Sequence, residues 1–280
     1  MQPLLPKRKR LPVASSGRVG EQTAAERLRD AFSERTALIP YLTGGFPTLE
    51  GAYEVGEAYV EAGADVVEIG VPFSDPLADG PTIQDTTTRA LENGAGLSYC
   101  FELATRFSGR MPVVLLIYYN NVFARGAGRF FDEASDAGVS GLVIPDLPVG
   151  EALEFREMAA ERGVAVCPLA APTTRDERLD MIAEAASGFV YCVSVAGVTG
   201  AREGLPPGAV ELLRRTRARV SVPVALGFGI GSAEAAVEAA AEADGVIIGS
   251  KLMQLVAEGG PESAAAFLRE VRGALDRARA

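Results

Sequence analysis

The chain has 280 residues, of which 48% are apolar and 23% are charged, and its net charge is −10. This composition excludes a disordered chain, which would combine low hydrophobicity with high charge, and the acidic balance argues against a nucleic-acid partner. No apolar run approaches the roughly 20 residues that a membrane-spanning helix needs, so we expect no membrane association.

Residues 1–20 form a basic tail. They carry five basic residues and no acid, so the remainder of the chain has a net charge of −15. The tail lacks the apolar stretch of a secretory signal and the periodicity of a packed element. We therefore expect residues 1–20 to be disordered and residues 21–280 to form one catalytic domain.

A helix and then eight short apolar runs follow the tail. Residues 21–34 have helical composition, and so do segments between the runs, such as 151–162 and 233–243. The apolar runs are 38–42, 66–70, 113–118, 141–145, 164–168, 189–193, 223–227 and 245–249. Strand-like runs that alternate with helical segments are typical of parallel βαβ units. Eight repeats predict a single (β/α)8 barrel with an extra N-terminal helix, and an open doubly wound sheet is the competing fold.

Glycine-rich turns follow the last three apolar runs. They are Gly197 to Gly200, Gly227 to Ser232, and Gly249 with Ser250. In barrels these loops commonly bind phosphate through backbone N–H groups at helix N-termini, where glycine permits close approach. Each turn alone is typical of a tight connection, but three at consecutive strand ends favour a phosphate site.

Two carboxylates are candidates for acid–base chemistry. Side chains alternate along a strand, so Glu68 points into the barrel if Val67 and Ile69 face the helices. Burial would raise the pKa of Glu68 and suit it to proton transfer near neutral pH, although a structural ion pair is the alternative. Asp79, in the long loop after the second run, can reach the same end of the barrel, although alone it is more typical of a turn. Tyr118, Asp146 and Tyr191 are weaker candidates.

Few other side chains that could take part in catalysis are present, which limits the possible reaction mechanisms. There is no histidine, and the three lysines are Lys7, Lys9 and Lys251. A Schiff-base mechanism needs a lysine inside the barrel, and a zinc site normally needs histidine, so we expect no metal site. The three cysteines are widely spaced and typical of reduced thiols in a cytoplasmic protein.

The segment 68–84 carries a long and specific family signature. Its sequence, Glu-Ile-Gly-Val-Pro-Phe-Ser-Asp-Pro-Leu-Ala-Asp-Gly-Pro-Thr-Ile-Gln, closely resembles that of the tryptophan synthase α subunit family. The resemblance continues through Tyr-Tyr-Asn at 118–120, Pro-Asp-Leu-Pro at 145–148 and the three glycine turns, and it covers about residues 35–275. Some relatives have arginine at the position of Val195 and aspartate at that of Phe46, in loops expected to be mobile or at an interface.

The resemblance implies cleavage of indole-3-glycerol phosphate to indole and glyceraldehyde 3-phosphate. It implies that Glu68 shuttles protons and that Asp79 holds the indole N–H. The other residues implied to contact substrate are Tyr41, Tyr118, Asp146, Tyr191 and Thr199, with Gly200, Phe228, Gly229, Gly249 and Ser250 around the phosphate. Asp75 and Pro76 are implied at an interface with a β subunit in an α2β2 complex, where pyridoxal phosphate belongs to the β subunit and this chain needs no cofactor.

Three alternatives remain open from the sequence. Another phosphate-binding barrel, such as an indole-glycerol phosphate synthase or a sugar-phosphate isomerase, typically relies on the lysines or histidines that are missing here. A catalytically idle barrel that only activates a partner conflicts with the presence of both Glu68 and Asp79. A stand-alone lyase that releases free indole would have the same residues.

Overall fold

The structure is a computed structural model that describes residues 22–193, 205, 207–227 and 229–279. The predicted disordered tail, residues 1–20, lies outside the described residues. The same holds for three predicted site residues, Thr199, Gly200 and Phe228.

Nine strands and eleven α-helices alternate along the described ranges. The strands are β1 (Ala37–Thr43), β2 (Val67–Gly70), β3 (Val113–Leu116), β4 (Val139–Val143), β5 (Ala165–Val166), β6 (Leu169–Ala170), β7 (Val190–Val193), β8 (Val224–Gly227) and β9 (Gly245–Ile248). The helices are α1 (Ala24–Asp30), α2 (Leu49–Glu61), α3 (Pro81–Glu92), α4 (Leu97–Phe107), α5 (Tyr119–Arg125), α6 (Ala127–Asp136), α7 (Leu153–Glu161), α8 (Asp176–Ala185), α9 (Pro207–Arg217), α10 (Ala233–Ala240) and α11 (Ser250–Arg279). A short 3-10 helix, Val149–Glu151, precedes α7.

The strands form one parallel sheet in the order β5-β4-β3-β2-β1-β9-β8-β7-β6. The fifth predicted strand, 164–168, corresponds to β5, and the segment continues two residues further than predicted into β6, with only Cys167 and Pro168 between the two strands. Cys167 donates its N–H to Leu142 of β4 at 2.9 Å, and Tyr191 of β7 donates to the carbonyl of Pro168 at 3.0 Å. One continuous segment therefore joins both ends of the sheet, which confirms the closed barrel and rules out the open sheet. The strand divides at Pro168 because proline has no N–H for a sheet ladder.

Alternate residues of the strands fill the inside of the barrel, as the pleat requires. Helix α1 contributes Leu28 to this inner core. Phe32, two residues after the end of α1, packs against Phe189 with ring centroids 5.5 Å apart. The N–H of Ala25 also bonds the carbonyl of Gly163 at 3.0 Å. The predicted extra helix thus packs on the barrel interior at the end where the strands begin, and the carboxyl ends of the strands remain for a site.

The predicted strands, helices and glycine turns agree with the structure except at some element boundaries. Gly63 and Gly138 end helices with positive φ angles of 85° and 72°, as glycine at a helix C-terminus allows. The third strand ends at Leu116, earlier than predicted, so Tyr118 is the N-cap residue of α5 and not a strand residue. Phe46 lies in the loop between β1 and α2 with its side chain fully buried, and the role of this loop at an interface stays a prediction. No helix in the described ranges is both long and apolar enough to cross a membrane.

Candidate active site

Glu68 lies inside the barrel, as the alternation along β2 predicts. Val67 and Ile69 belong to the outer core between sheet and helices, and the Glu68 side chain between them is only 1% exposed. In the parallel register Glu68 lies beside Tyr41 of β1 and Val114 of β3. The strand therefore holds a carboxyl group in an apolar interior, near the carboxyl end of the sheet.

The surroundings of Glu68 favour its neutral form. Burial raises the pKa of Glu68 to about 8, and the negative charge of Asp79 acts in the same direction. Its Oε1 atom is buried without a hydrogen-bond partner among the described residues. Buried polar atoms normally have a partner, and unpaired ones often mark a functional site. Burial and the charge of Asp79 therefore both favour the protonated form of Glu68.

Asp79 reaches the same interior from the loop between β2 and α3. Burial raises its pKa, and the Tyr118 hydroxyl beside it partly offsets that effect. The loop is fixed at both sides of Asp79: Ala78 donates its N–H to the Tyr118 hydroxyl at 3.0 Å, and Gln84 donates to the carbonyl of Asp79 at 2.9 Å. The structure thus brings Glu68, Asp79 and Tyr118 together, although they come from three different segments.

Tyr41 and Tyr191 complete the inner wall, and both are buried. Burial raises the pKa of each hydroxyl well above its usual value, and the charges of Glu68 and Asp79 add to the shift. Both tyrosines therefore keep their protons over the whole physiological range. Their rings lie where side chains of Gly70 and Gly227 would otherwise project.

Asp146 has a structural partner at the same end of the barrel. It follows β4 and accepts a hydrogen bond from the N–H of Tyr119, the first residue of α5, at 2.8 Å. A carboxylate at that position accepts a hydrogen bond from an otherwise free N–H group and interacts favourably with the positive end of the helix dipole. The side chain is exposed, and a contact with substrate remains a prediction.

The described part of the predicted phosphate site lies at the ends of two adjacent strands. Gly229 follows β8 and has a φ of 86°, while Gly249 and Ser250 lead directly from β9 into α11. The first turn of α11 offers free backbone N–H groups and the positive end of a helix dipole. This arrangement suits an anion held by backbone atoms.

The predicted interface residues lie in the exposed part of the loop after β2. Asp75 accepts a hydrogen bond from Ser74 Oγ at 2.5 Å, and Pro76 is partly exposed beside it. The next residue, Leu77, is 87% exposed, which the sequence reasoning missed. Its position between a proline and an alanine in a long loop could have indicated this exposure from the sequence.

Two buried hydroxyl groups behind Tyr41, those of Thr43 and Thr86, were also not predicted from the sequence. The run of three threonines in α3 was the feature that could have indicated them.

Comparison with known proteins agrees with this geometry. A sequence profile of the family described as "Tryptophan synthase alpha chain" matches residues 29–278. The tryptophan synthase alpha chain of Xanthomonas oryzae pv. oryzae (strain PXO99A) is 48% identical over 253 residues, which cover 87% of this chain and 94% of that protein. The alpha chain of Dehalococcoides mccartyi (strain BAV1) is 41% identical over 253 residues, 89% of this chain and 99% of its own.

Solved structures agree as well. A structure of Mycobacterium tuberculosis tryptophan synthase superposes with a TM-score of 0.84 at 36% identity and covers 89% of this chain and 98% of its own. A chain of the tryptophan synthase a2b2 complex from Pyrococcus furiosus gives 0.81 at 42% identity, with 85% and 98% covered. The profile match spans most of the chain and the identities extend over nearly whole proteins, so the chain belongs to the tryptophan synthase α chain family.

Proposed function

We propose that this chain is the α subunit of a tryptophan synthase and cleaves indole-3-glycerol phosphate to indole and glyceraldehyde 3-phosphate. The observation that carries the proposal is the buried carboxyl pair, Glu68 and Asp79, with the pKa of Glu68 raised to about 8. A retro-aldol cleavage without a Schiff base needs a leaving group that accepts the electrons itself. Protonated indole is such a group, and carboxylates suffice to form it.

Glu68 serves first as an acid and then as a base in this proposal. Its proton goes to C3 of the indole ring, which leaves positive charge at the ring nitrogen. The resulting carboxylate takes the proton of the adjacent glycerol hydroxyl, and the bond between C3 and the glycerol carbon breaks. Its electron pair returns to the indole ring while the hydroxyl becomes the aldehyde of glyceraldehyde 3-phosphate. Glu68 ends protonated, so no water or further reactant is consumed.

Asp79 stabilises the charge that develops on the ring. Its carboxylate accepts the indole N–H and offsets the positive charge that appears when C3 is protonated. Tyr118 beside it and the hydrogen bonds on both sides of the loop keep the carboxylate in place. Because Asp79 also raises the pKa of Glu68, the same residue favours the protonated acid before each cycle.

The phosphate is held at the ends of β8 and β9, and only β1 separates β9 from the strand of Glu68. We assign it to the backbone at Gly229, Gly249 and Ser250. Gly200 and Phe228 are added on the family resemblance alone. Backbone N–H groups explain how a protein with a net charge of −10 binds an anion without a basic cluster. The reacting carbon is then placed between the phosphate site and the two carboxylates.

We propose that a β subunit binds at this same end of the barrel, as in an α2β2 complex. Three large apolar side chains are exposed on segments that follow the strand ends: Leu77 at 87%, Phe123 at 73% and Leu153 at 60%. Exposed apolar groups near a catalytic mouth are typical of an interaction surface. The β subunit would receive indole and carry the pyridoxal phosphate. The three cysteines, all buried and free, are compatible with the cytoplasmic location that we propose.

Release of glyceraldehyde 3-phosphate from indole-3-glycerol phosphate tests the proposal, with and without a β subunit. We expect activity that rises when the β subunit binds, because a partner that binds the catalytic conformation better than other conformations increases its population. Equal turnover in a demonstrated complex would instead favour a stand-alone lyase. A folded chain with no lyase activity in either case would favour the idle barrel.

A further inference from the structure

Three buried hydroxyl groups connect strand β1 with helix α3 behind the site. The Tyr41 hydroxyl lies 3.3 Å from Thr43 Oγ1, and that atom lies 2.8 Å from Thr86 Oγ1. The exposed fractions of these side chains are only 5%, 1% and 2%. Thr86 in turn donates to the carbonyl oxygen of Ile83, one turn earlier in α3, at 3.0 Å.

The carbonyl at the end of this chain sets the direction in which each hydroxyl points. A carbonyl oxygen can only accept, and each hydroxyl has a single proton to donate. Since Thr86 donates to Ile83, it accepts from Thr43, and Thr43 accepts from Tyr41. The O–H of Tyr41 therefore points away from the site, and its lone pairs face the remaining neighbours.

Those neighbours are anionic or neutral. Asp79 on the loop after β2 acts on both Tyr41 and Glu68, and Cys100 on α4 acts on Tyr41. The charge of Glu68 acts in turn on Tyr191 of β7 and on Cys167 between β5 and β6. A hydroxyl oxygen whose proton is turned away presents partial negative charge to a carboxyl group. Such a dipole disfavours the carboxylate and favours the acid.

We propose that Thr43 and Thr86 are positioning residues that keep the proton of the Tyr41 hydroxyl directed away from Glu68, so that Glu68 keeps the proton it delivers to substrate. The inference deepens the proposed function and rests on it, because only there does Glu68 need to begin each cycle protonated. It adds two residues that have no contact with the reacting atoms.

A threonine-to-valine change at position 43 tests the inference. Valine has a similar shape and suits a strand, but it cannot accept from Tyr41, whose O–H is then free to turn towards the carboxylates. We expect the pKa of Glu68 to fall by about one unit. The protonated carboxyl band of Glu68 in infrared spectra of the free protein, identified by its loss in Glu68→Gln, measures this without turnover. In the dependence of kcat on pH, the part that reports the ionisation of Glu68 should move to lower pH by the same amount.

Matched variants separate orientation from packing. Thr43→Ser keeps the hydroxyl and should titrate like the parent protein, and Thr87→Val changes a buried threonine of α3 outside this chain of hydroxyls. Thr86→Val should shift the titration in the same direction as Thr43→Val and serves if the latter does not fold. In a Tyr41→Phe background, Thr43→Val should have no further effect.

Two results would overturn the inference: an unchanged titration of Glu68 in both folded valine variants, or an equal shift in the Tyr41→Phe background. Because the infrared titration needs no substrate, absence of lyase activity in the parent protein would contradict the proposed function alone.

Discussion

The hydroxyl end of Tyr41 occupies the space into which a side chain at Gly70 would project. A Cβ atom built on Gly70 would lie 2.5 Å from Cζ of Tyr41, and one on Gly227 would lie 2.6 Å from Cζ of Tyr191. Carbon atoms do not approach so closely without displacement. The glycines at the ends of β2 and β8 are therefore what allow two tyrosines to lie beside Glu68.

Gly70→Ala should displace the Tyr41 ring and lower kcat/KM by about tenfold or more, since a misplacement of about 1 Å in a site can cost a hundredfold. Steady-state kinetics of the lyase reaction measure the effect. Gly128→Ala, in α6 where an added methyl group meets open space, is the matched control. Activity of the Gly70 variant equal to that of the control would contradict the fit between Gly70 and Tyr41.

Glu68→Gln should abolish the chemical step and leave substrate binding intact. The amide keeps size and polarity but cannot exchange a proton, and acid–base groups typically contribute about 10² to 10⁴ in rate. We expect kcat to fall to the upper end of that range or beyond, with the substrate Kd nearly unchanged. Single-turnover rates and calorimetric binding check both parts, with the exposed Glu258→Gln as the control. A folded variant within tenfold of the parent rate would exclude the mechanism.

The same substitution should raise stability at alkaline pH. The pKa of Glu68 is raised by burial to about 8 in the folded protein, above its ordinary value of 4.5. The folded state thus holds a proton that the unfolded state releases, so the contribution to stability is full below pH 4.5 and is lost as pH rises through 8. Glutamine does not titrate. Urea unfolding at pH 5 and pH 9 should show the parent losing more stability than the variant between these values, and equal losses would contradict a buried neutral Glu68.

Asp79→Asn should damage catalysis less than the change at Glu68. The amide oxygen still accepts the indole N–H, but it lacks the charge that stabilises the protonated ring. We expect a fall in kcat of about a hundredfold, the scale of one lost stabilising group. Removing the negative charge should also lower the pKa of Glu68, visible as a shift of the kcat profile to lower pH. An unshifted profile would show that Asp79 does not act on Glu68.

Arg272→Met should destabilise the fold without changing the chemistry. Arg272 of α11 is buried and contacts Asp65 Oδ2 at 3.1 Å and the carbonyl of Thr36 at 3.1 Å, both on the side of the barrel where strands begin. Asp65 keeps its ion pair with Arg35 at 2.7 Å, so the main loss is the hydrogen bond from Arg272 to the buried carbonyl of Thr36 and the second contact to Asp65, which costs about 2 kcal/mol. Arg269→Met, which breaks a surface pair with Glu262, should cost less than about 1 kcal/mol. Denaturant unfolding distinguishes the two, and similar losses would contradict a special role for Arg272.

The repeated pattern of strands and helices was readable from the sequence because it depends on local periodicity. Apolar runs of five or six residues and glycines at helix ends specify parallel units, and eight such units leave closure as the favoured arrangement. The inward direction of Glu68 also follows from strand alternation alone. The family signature added Asp79, which local pattern would have assigned to a turn.

Only the tertiary structure decided what surrounds these groups. The contact of Asp146 with the first residue of α5 and the chain of hydroxyls from Tyr41 to Thr86 join residues distant in sequence. A pKa near 8 for Glu68 likewise requires the burial and the neighbouring charge that barrel closure creates. The sequence by itself determined which residues we propose for the chemistry, because side-chain identity and local period are written in it. Their protonation and orientation depend on long-range packing and a low local dielectric, which exist only once the barrel has closed.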